Sequence, residues 1–176
     1  MKKVVLYIAM SLDGYIADKE GKVDWLKGQN AKEENIDTYS SFIKEVDTVI
    51  MGRNTYKQII TELSPNQWIY HDLTTYVITH RKLPPTENIK FIQENPYDLV
   101  KRLKKEQGKK IWICGGGKIV QSLLKEKLID EYNIAVIPVI LGAGIPLFGK
   151  MLKEIELTLL NTLTYNGIVE LLYICR

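Results

Sequence analysis

Histidine and cysteine are scarce in this chain, two of each among 176 residues. His71 and His80 cannot build a usual zinc site, and Cys114 and Cys175 have no metal-type spacing, so no metal is expected. Each cysteine lies in an apolar run, which reads as two reduced thiols packed in strands of a cytoplasmic protein. A Gly-x-Ser-x-Gly elbow and a Walker loop are both missing, so neither an elbow-type hydrolase nor a P-loop enzyme is indicated. The Gly-x-Gly-x-x-Gly dinucleotide fingerprint is missing too. Gly142-Ala143-Gly144 comes near it, but no helix follows and Pro146 breaks the pattern. Nothing approaches the ~20 apolar residues of a membrane span. The apolar run after Met1-Lys2-Lys3 is short and leads into Ser11-Leu12-Asp13-Gly14 without a small-residue cleavage site, so it is read as a strand, not a signal peptide. The 24 basic and 21 acidic residues are interspersed and leave a net charge of +3. No basic block points to nucleic acid or to a membrane as partner.

What is present is a series of short, nearly continuous apolar runs. They cover residues 4–10, 48–51, 75–79, 111–114, 132–141, 157–163 and 168–174, rich in Val, Ile and Tyr and bounded by Gly, Pro, Asn or Asp. These predict strands covered on both faces. Between them, residues 35–45 carry Ile36, Tyr39, Phe42 and Ile43 at helical spacing, with Val46 just beyond, and residues 54–60 make a short helix. Residues 96–107 follow Asn95 as N-cap with Pro96 at the first helical position, and residues 117–127 follow a glycine run. Strands alternating with helices predict an α/β fold, a three-layer α/β/α arrangement with a mostly parallel mixed sheet. Asn166-Gly167 between the last two runs predicts a closing antiparallel hairpin. A length of 176 residues fits one domain, 1–176.

Ligands of open α/β sheets bind beyond the carboxyl ends of the strands. Three consecutive strand ends carry suitable groups: Met51-Gly52-Arg53-Asn54-Thr55-Tyr56, then Thr79-His80-Arg81, then Cys114-Gly115-Gly116-Gly117-Lys118. Glycines let backbone N–H groups approach an anion, helix dipoles favour negative charge, and arginine presents a forked donor to phosphate. Taken singly, the glycine triplet reads equally as a tight turn, Arg53 as a solvated cap-region charge and His80 as a loop histidine. Taken together, the three edges predict an anionic, nucleotide-like ligand. The scarcity of catalytic side chains suits a reductase, whose cofactor supplies the chemistry, better than a hydrolase.

The segment Val49-Ile50-Met51-Gly52-Arg53-Asn54-Thr55-Tyr56 resembles the strand-to-helix motif of dihydrofolate reductases, and Ile113-Cys114-Gly115-Gly116-Gly117-Lys118 resembles their second glycine motif. The opening Ala9-Met10-Ser11-Leu12-Asp13-Gly14-Tyr15-Ile16-Ala17 is more similar to the reductase domain of the bifunctional riboflavin-biosynthesis deaminase-reductase. So is Pro138-Val139-Ile140-Leu141-Gly142-Ala143-Gly144-Ile145-Pro146-Leu147-Phe148. The four motifs span essentially the whole chain in the family's order. The resemblance implies NADPH as cofactor. By it, the Ala9 backbone bonds the nicotinamide carboxamide, with Ile16 and Ala17 alongside. Gly52, Arg53 and Thr55 hold phosphate, and Thr79, His80 and Arg81 surround the adenosine end, with both arginines near the 2′-phosphate. Gly115-Gly116, following Cys114 at the cofactor, matches the position of a cis peptide, and Gly117, Lys118 and Ile119 contact the pyrophosphate. Residues 18–25 match a mobile covering loop, and a homodimer is expected.

Two departures stand against folate reduction and against the bifunctional enzyme. The carboxylate that dihydrofolate reductases carry on their first long helix falls at Ile36, with Asp37 one step off on another face. The zinc deaminase signature is absent. The resemblance therefore implies a stand-alone NADPH-dependent reductase of a small heterocycle, 5-amino-6-(5-phosphoribosylamino)uracil being the specific expectation. Dihydrofolate reduction and a non-catalytic NADPH-binding module are the alternatives. Asp13 is the candidate catalytic side chain, read equally as a turn-forming residue before Gly14. Tyr39 and Phe42 either line the heterocycle's pocket or pack in the core. Trp25 belongs to the covering loop or to the core, and the apolar stretch 134–145 to an interface or to the core.

Overall fold

The computed structural model describes residues 1–84, 86–150 and 154–176. Its main sheet is built from β1 (Val4–Ser11), β3 (Val46–Gly52), β4 (Thr74–Ile78), β5 (Ile89–Ile92), β6 (Lys110–Gly115), β7 (Glu131–Ile137), β9 (Leu157–Tyr165) and β10 (Ile168–Cys175). They lie in the order β5-β4-β3-β6-β1-β7-β10-β9. The pairs up to β1–β7 are parallel, and β10 runs antiparallel to both β7 and β9. A two-stranded antiparallel sheet of β2 (Tyr15–Ala17) and β8 (Ile145–Pro146) stands beside it. The expected mixed, mostly parallel sheet with an antiparallel C-terminal hairpin is what the chain forms.

Two apolar clusters sandwich the sheet. On one face α3 (Pro96–Lys104) and α4 (Gly117–Lys125) pack Leu99, Val100, Leu103, Val120 and Leu123 onto Val4, Leu6, Ile50, Ile111 and Ile113. On the other, Val49, Met51, Val77 and Trp112 lie under α1 (Tyr39–Ile43) and α2 (Arg53–Gln58), which continues as a π-helical turn over Ile59–Leu63. Alternate residues of β1 serve alternate faces, Val4 and Leu6 one, Val5 and Tyr7 the other, as a two-residue strand period requires.

Local chemistry explains the element ends. Asn95 accepts the Tyr97 N–H at 3.2 Å and starts α3, with Pro96 at the first helical position. Asn166 and Gly167 have φ of 45° and 74°, the geometry of a tight hairpin turn. The helix expected over residues 35–45 is a correction: only Tyr39–Ile43 is helical. Asp37 spends its carboxylate on the Ser40 N–H at 2.9 Å, and Thr38 is held by a hydrogen bond to β10 (2.7 Å), which fixes the preceding residues as coil. The strand expected over 132–141 ends at Ile137, before Pro138. Residues 54–60 are helical as expected, but the helix starts at Arg53.

Candidate functional site

Two strand-to-helix turns lie side by side at the carboxyl edge of the sheet. At each, the N-cap is a glycine in extended conformation, Gly52 for α2 and Gly116 for α4, and neither helix start has a side-chain cap. The first N–H groups of both helices are therefore left for an outside acceptor. A Cβ placed on Gly52 would stand 3.9 Å from the Gly116 nitrogen, and one on Gly116 would stand 3.6 Å from Thr55 Oγ1. Thr55 thus presents its hydroxyl against the Gly115–Gly116 peptide, which is cis. Gly117 is enclosed, because a Cβ there would meet the Pro146 carbonyl oxygen of β8 at 2.7 Å.

Charge is sorted along the strands. At the amino ends, Lys2 pairs with Asp47 (2.6 Å), Lys3 and Lys110 with Glu131 (3.0 and 2.7 Å), and Lys104 with Asp130 (2.6 Å). At the carboxyl ends, Arg53, Arg81 and Lys118 form no ion pair among the described residues. Cations left without carboxylates beside open helix N-termini suit a polyanion. Thr79, buried just past β4, accepts the Arg81 N–H on Oγ1 at 3.1 Å and so shapes the turn that carries Arg81. His80 and Arg81 are exposed.

The first and last motifs of the chain form one unit. Ser11 Oγ accepts the Tyr15 N–H (2.9 Å) and donates to Asp13 Oδ1 (2.6 Å). Asp13 also accepts the backbone N–H groups of Leu141 (3.1 Å) and Gly142 (2.7 Å). The hydrogen bond from Ser11, then those from the backbone, hold the Asp13 carboxyl below the usual range. The arrangement favours the loop-organising reading of Asp13, since its oxygens are already engaged. Leu147 N–H reaches the Gly14 carbonyl at 2.9 Å, and Gly144, with φ of 157°, presses on the Ala17 carbonyl with no room for a Cβ. Ala17 pairs with Ile145 and Tyr15 with Pro146, the residues of β8 that abut Gly117. The loop after Ala17 is tied to α2 by Gln58 Nε2, which donates to the Gly21 carbonyl at 3.0 Å.

On the sheet face covered by α1, Tyr7 stacks on Phe42 at 4.1 Å between ring centroids, and both meet Trp112 edge-on. Phe42 therefore packs in the core, whereas Tyr39, edge-on to Trp112 at 6.0 Å, stays 38% exposed. Ile36 is exposed in coil, and Asp37 accepts the Ser40 N–H at 2.9 Å. Burial pushes the Cys114 thiol up to about 12. The sequence reading missed Glu170, which lies buried on β10 and accepts Thr38 Oγ1 and Tyr165 Oη. Its signal was available: a single acidic residue inside the apolar run 168–174.

The family model for the RibD C-terminal domain matches residues 2–169. The uncharacterised Bacillus subtilis protein YwjB is 43% identical over 98% of both chains. A Shewanella sp. PV-4 protein named after riboflavin biosynthesis has a structure similar at TM-score 0.83, with 30% identity over 99% of each chain. The Thermotoga maritima diaminohydroxyphosphoribosylaminopyrimidine deaminase/5-amino-6-(5-phosphoribosylamino)uracil reductase shares the fold at TM-score 0.71 and 14% identity; 99% of the present chain covers 57% of that one. Dihydrofolate reductase of Enterococcus faecalis shares it at TM-score 0.65 and 16% identity, over 98% and 96% of the chains.

Proposed function

The chain belongs to the RibD C-terminal domain family, and from that premise we propose that it is an NADPH-dependent reductase of riboflavin biosynthesis acting on 5-amino-6-(5-phosphoribosylamino)uracil. The observation that carries the reading is the edge where the α2 and α4 N-termini meet, uncapped by side chains, together with Arg53, Arg81 and Lys118 at the same strand ends, which form no ion pair among the described residues. That donor set fits a dinucleotide bearing several phosphates.

In this reading Gly52, Arg53 and Thr55 take phosphate at the start of α2. Gly115, Gly116, Gly117, Lys118 and Ile119, following Cys114, take the pyrophosphate. Thr79, His80 and Arg81 surround the adenosine end, and the two arginines read the 2′-phosphate. Ala9 offers its backbone to the carboxamide, with Ile16 and Ala17 completing that wall. When bound, NADPH supplies the hydride. The chain's contribution is to orient the acceptor over Ala9 and to exclude water with the segment 18–25. Asp13 keeps the β2–β8 unit closed over the site and, being held ionised, orients rather than donates a proton. A homodimer in the cytoplasm belongs to the same proposal. β9 is an open sheet edge with Leu159 and Leu160 about half exposed, and within the stretch 134–145 Ile134 and Ile137 are core whereas Ile140 and Ile145 are exposed.

Dihydrofolate reduction is disfavoured by the apolar, exposed Ile36 and the engaged Asp37. The test is NADPH oxidation with the ribosylamino-pyrimidine phosphate and with dihydrofolate, side by side. Turnover of the first alone is expected. Turnover of dihydrofolate alone overturns the substrate, and silence with both overturns the reductase reading.

A further inference from the structure

Glu170 sits where an interior strand would ordinarily carry an apolar residue, and it is 7% exposed. Both of its donors converge on one oxygen. Thr38 Oγ1 donates to Oε1 at 2.7 Å and Tyr165 Oη donates to the same atom at 2.5 Å. Thr38 has spent its only proton there, so the 2.9 Å contact between Thr38 Oγ1 and Tyr7 Oη is a donation from Tyr7. The result is a relay, Tyr7 to Thr38 to Glu170, that fixes the carboxylate from one side. Among the described residues no donor meets Oε2 and no cation pairs with the group. Among the described residues, the buried side-chain polar atoms left without partners are Trp68 Nε1 and Thr75 Oγ1, and Oε2 is not one of them.

Register shows what stands beside Glu170 on the sheet. Glu170 pairs with Ala135 of β7, and Ala135 pairs with Ala9 of β1. Residues in one row of a sheet project to one face, and each strand step is ~4.8 Å, which puts Glu170 and Ala9 on the same face about 10 Å apart. From Glu170 the row runs over the methyls of Ala135 and Ala9. Both alanines stay partly exposed although β1 and β7 are interior strands.

We infer that Glu170 is the substrate-recognition carboxylate of this site, with Oε2 accepting N–H donors from the edge of a flat heterocycle lying over Ala9 and Ala135. A partly desolvated carboxylate without a cation is costly to keep, and a ligand N–H supplies what Oε2 lacks. The chemistry selects amino- and lactam-bearing rings and repels an anionic edge, so a substrate phosphate must lie away from Glu170. The inference rests on the reading that this face receives the substrate, and its test is separable from turnover.

The experiment titrates 5,6-diaminouracil into the NADPH-loaded protein and follows the amide resonances of Ala9 and Ala135. The same titration is run with the ring-N-methylated counterpart and with Glu170→Gln, which keeps the shape and an acceptor for Thr38 and Tyr165. The unmodified protein should bind diaminouracil at least ~10-fold more tightly than the variant, and the methylated ring should lose a similar factor. Both amides should shift, while NADPH affinity and thermal unfolding stay unchanged. If Glu170→Gln does not fold, Glu170→Asp, which withdraws the carboxylate by one methylene, should show the same loss. Equal binding by variant and unmodified protein overturns the proposal and leaves Glu170 as a tie between β10 and Thr38. Absence of diaminouracil binding by the unmodified protein overturns it too. Binding that depends on Glu170 without any NADPH oxidation supports the recognition site and rejects the reductase reading alone.

Discussion

Asp13 and Gly142 are 129 residues apart in the chain, yet the carboxylate of one accepts the backbone N–H of the other at 2.7 Å. With the Leu141 N–H and the Ser11 hydroxyl, that bond closes the loop after β1 against the loop before β8. The pKa of Asp13 is depressed in the fold, so its contribution is fully present above the ordinary carboxylate range and is lost as pH falls through the depressed value. Hydrogen exchange at Leu141 and Gly142 should be slow at neutral pH and quicken under acid conditions relative to their neighbours. Asp13→Asn should show the fast behaviour at every pH. Protection independent of both pH and the substitution would remove Asp13 from this role.

Gly117 is held against β8 more tightly than any side chain allows. A methyl group at this position would meet the Pro146 carbonyl at 2.7 Å, so Gly117→Ala must move β8 away from the α4 N-terminus at about 1–3 kcal/mol. Gly52→Ala meets only Ile119 Cδ1 at 3.4 Å and the Gly116 nitrogen at 3.9 Å, with φ of −82°, and should be tolerated within about 0.5 kcal/mol. Urea unfolding of the two variants checks the contrast. Similar losses for both would mean that the glycines matter only for backbone freedom.

These couplings explain what could be read from the sequence. Asn95-Pro96, Asn166-Gly167 and the glycine turns at Gly52 and Gly116 act through neighbouring backbone, so their residue types announce the structure. β2 and β8 have three and two residues, too short for any period, and exist only because Asp13 and Gly144 bring them together. β5 was missed because Lys90 interrupts a four-residue edge strand. The helix expected over 35–45 failed for the opposite reason. Ile36, Tyr39, Phe42 and Ile43 kept helical spacing, but a contact across 132 residues, Thr38 to Glu170, decided the backbone. The same contact hid Glu170, whose partners no local pattern names.

The charged groups at the amino ends of the strands are structural. Burial works against the Glu131 charge, but Lys110 and Lys3 overcome it and hold the pKa below the usual range. Glu131 therefore stabilises the fold at neutral pH and stops doing so as pH falls through its lowered value. Lys3 is 65% exposed and Lys110 retains Glu45 at 2.8 Å, so Glu131→Gln should cost only about 1–2 kcal/mol. The acid limb of a stability–pH curve should flatten in the variant, with NADPH affinity unaltered. A loss of NADPH affinity would show that the two ends of the sheet are coupled.

Arg53 and Arg81 flank the opposite edge and meet no carboxylate among the described residues, which makes the cofactor assignment testable by difference. A charge-assisted bond to a phosphate monoester is worth about 1.5–3 kcal/mol, a factor of about 10–100. Arg53→Ala and Arg81→Ala should each weaken NADPH by such a factor while leaving NADH nearly unchanged, because only NADPH carries the 2′-phosphate. Lys118→Ala, at the start of α4, should weaken both cofactors alike, since the pyrophosphate is common to them. Fluorescence titration of the three variants with both nucleotides separates the contributions. Equal affinity of the unmodified protein for NADPH and NADH would reject the 2′-phosphate assignment, whereas uniform losses in all three variants would mean that the arginines act only as a general positive field.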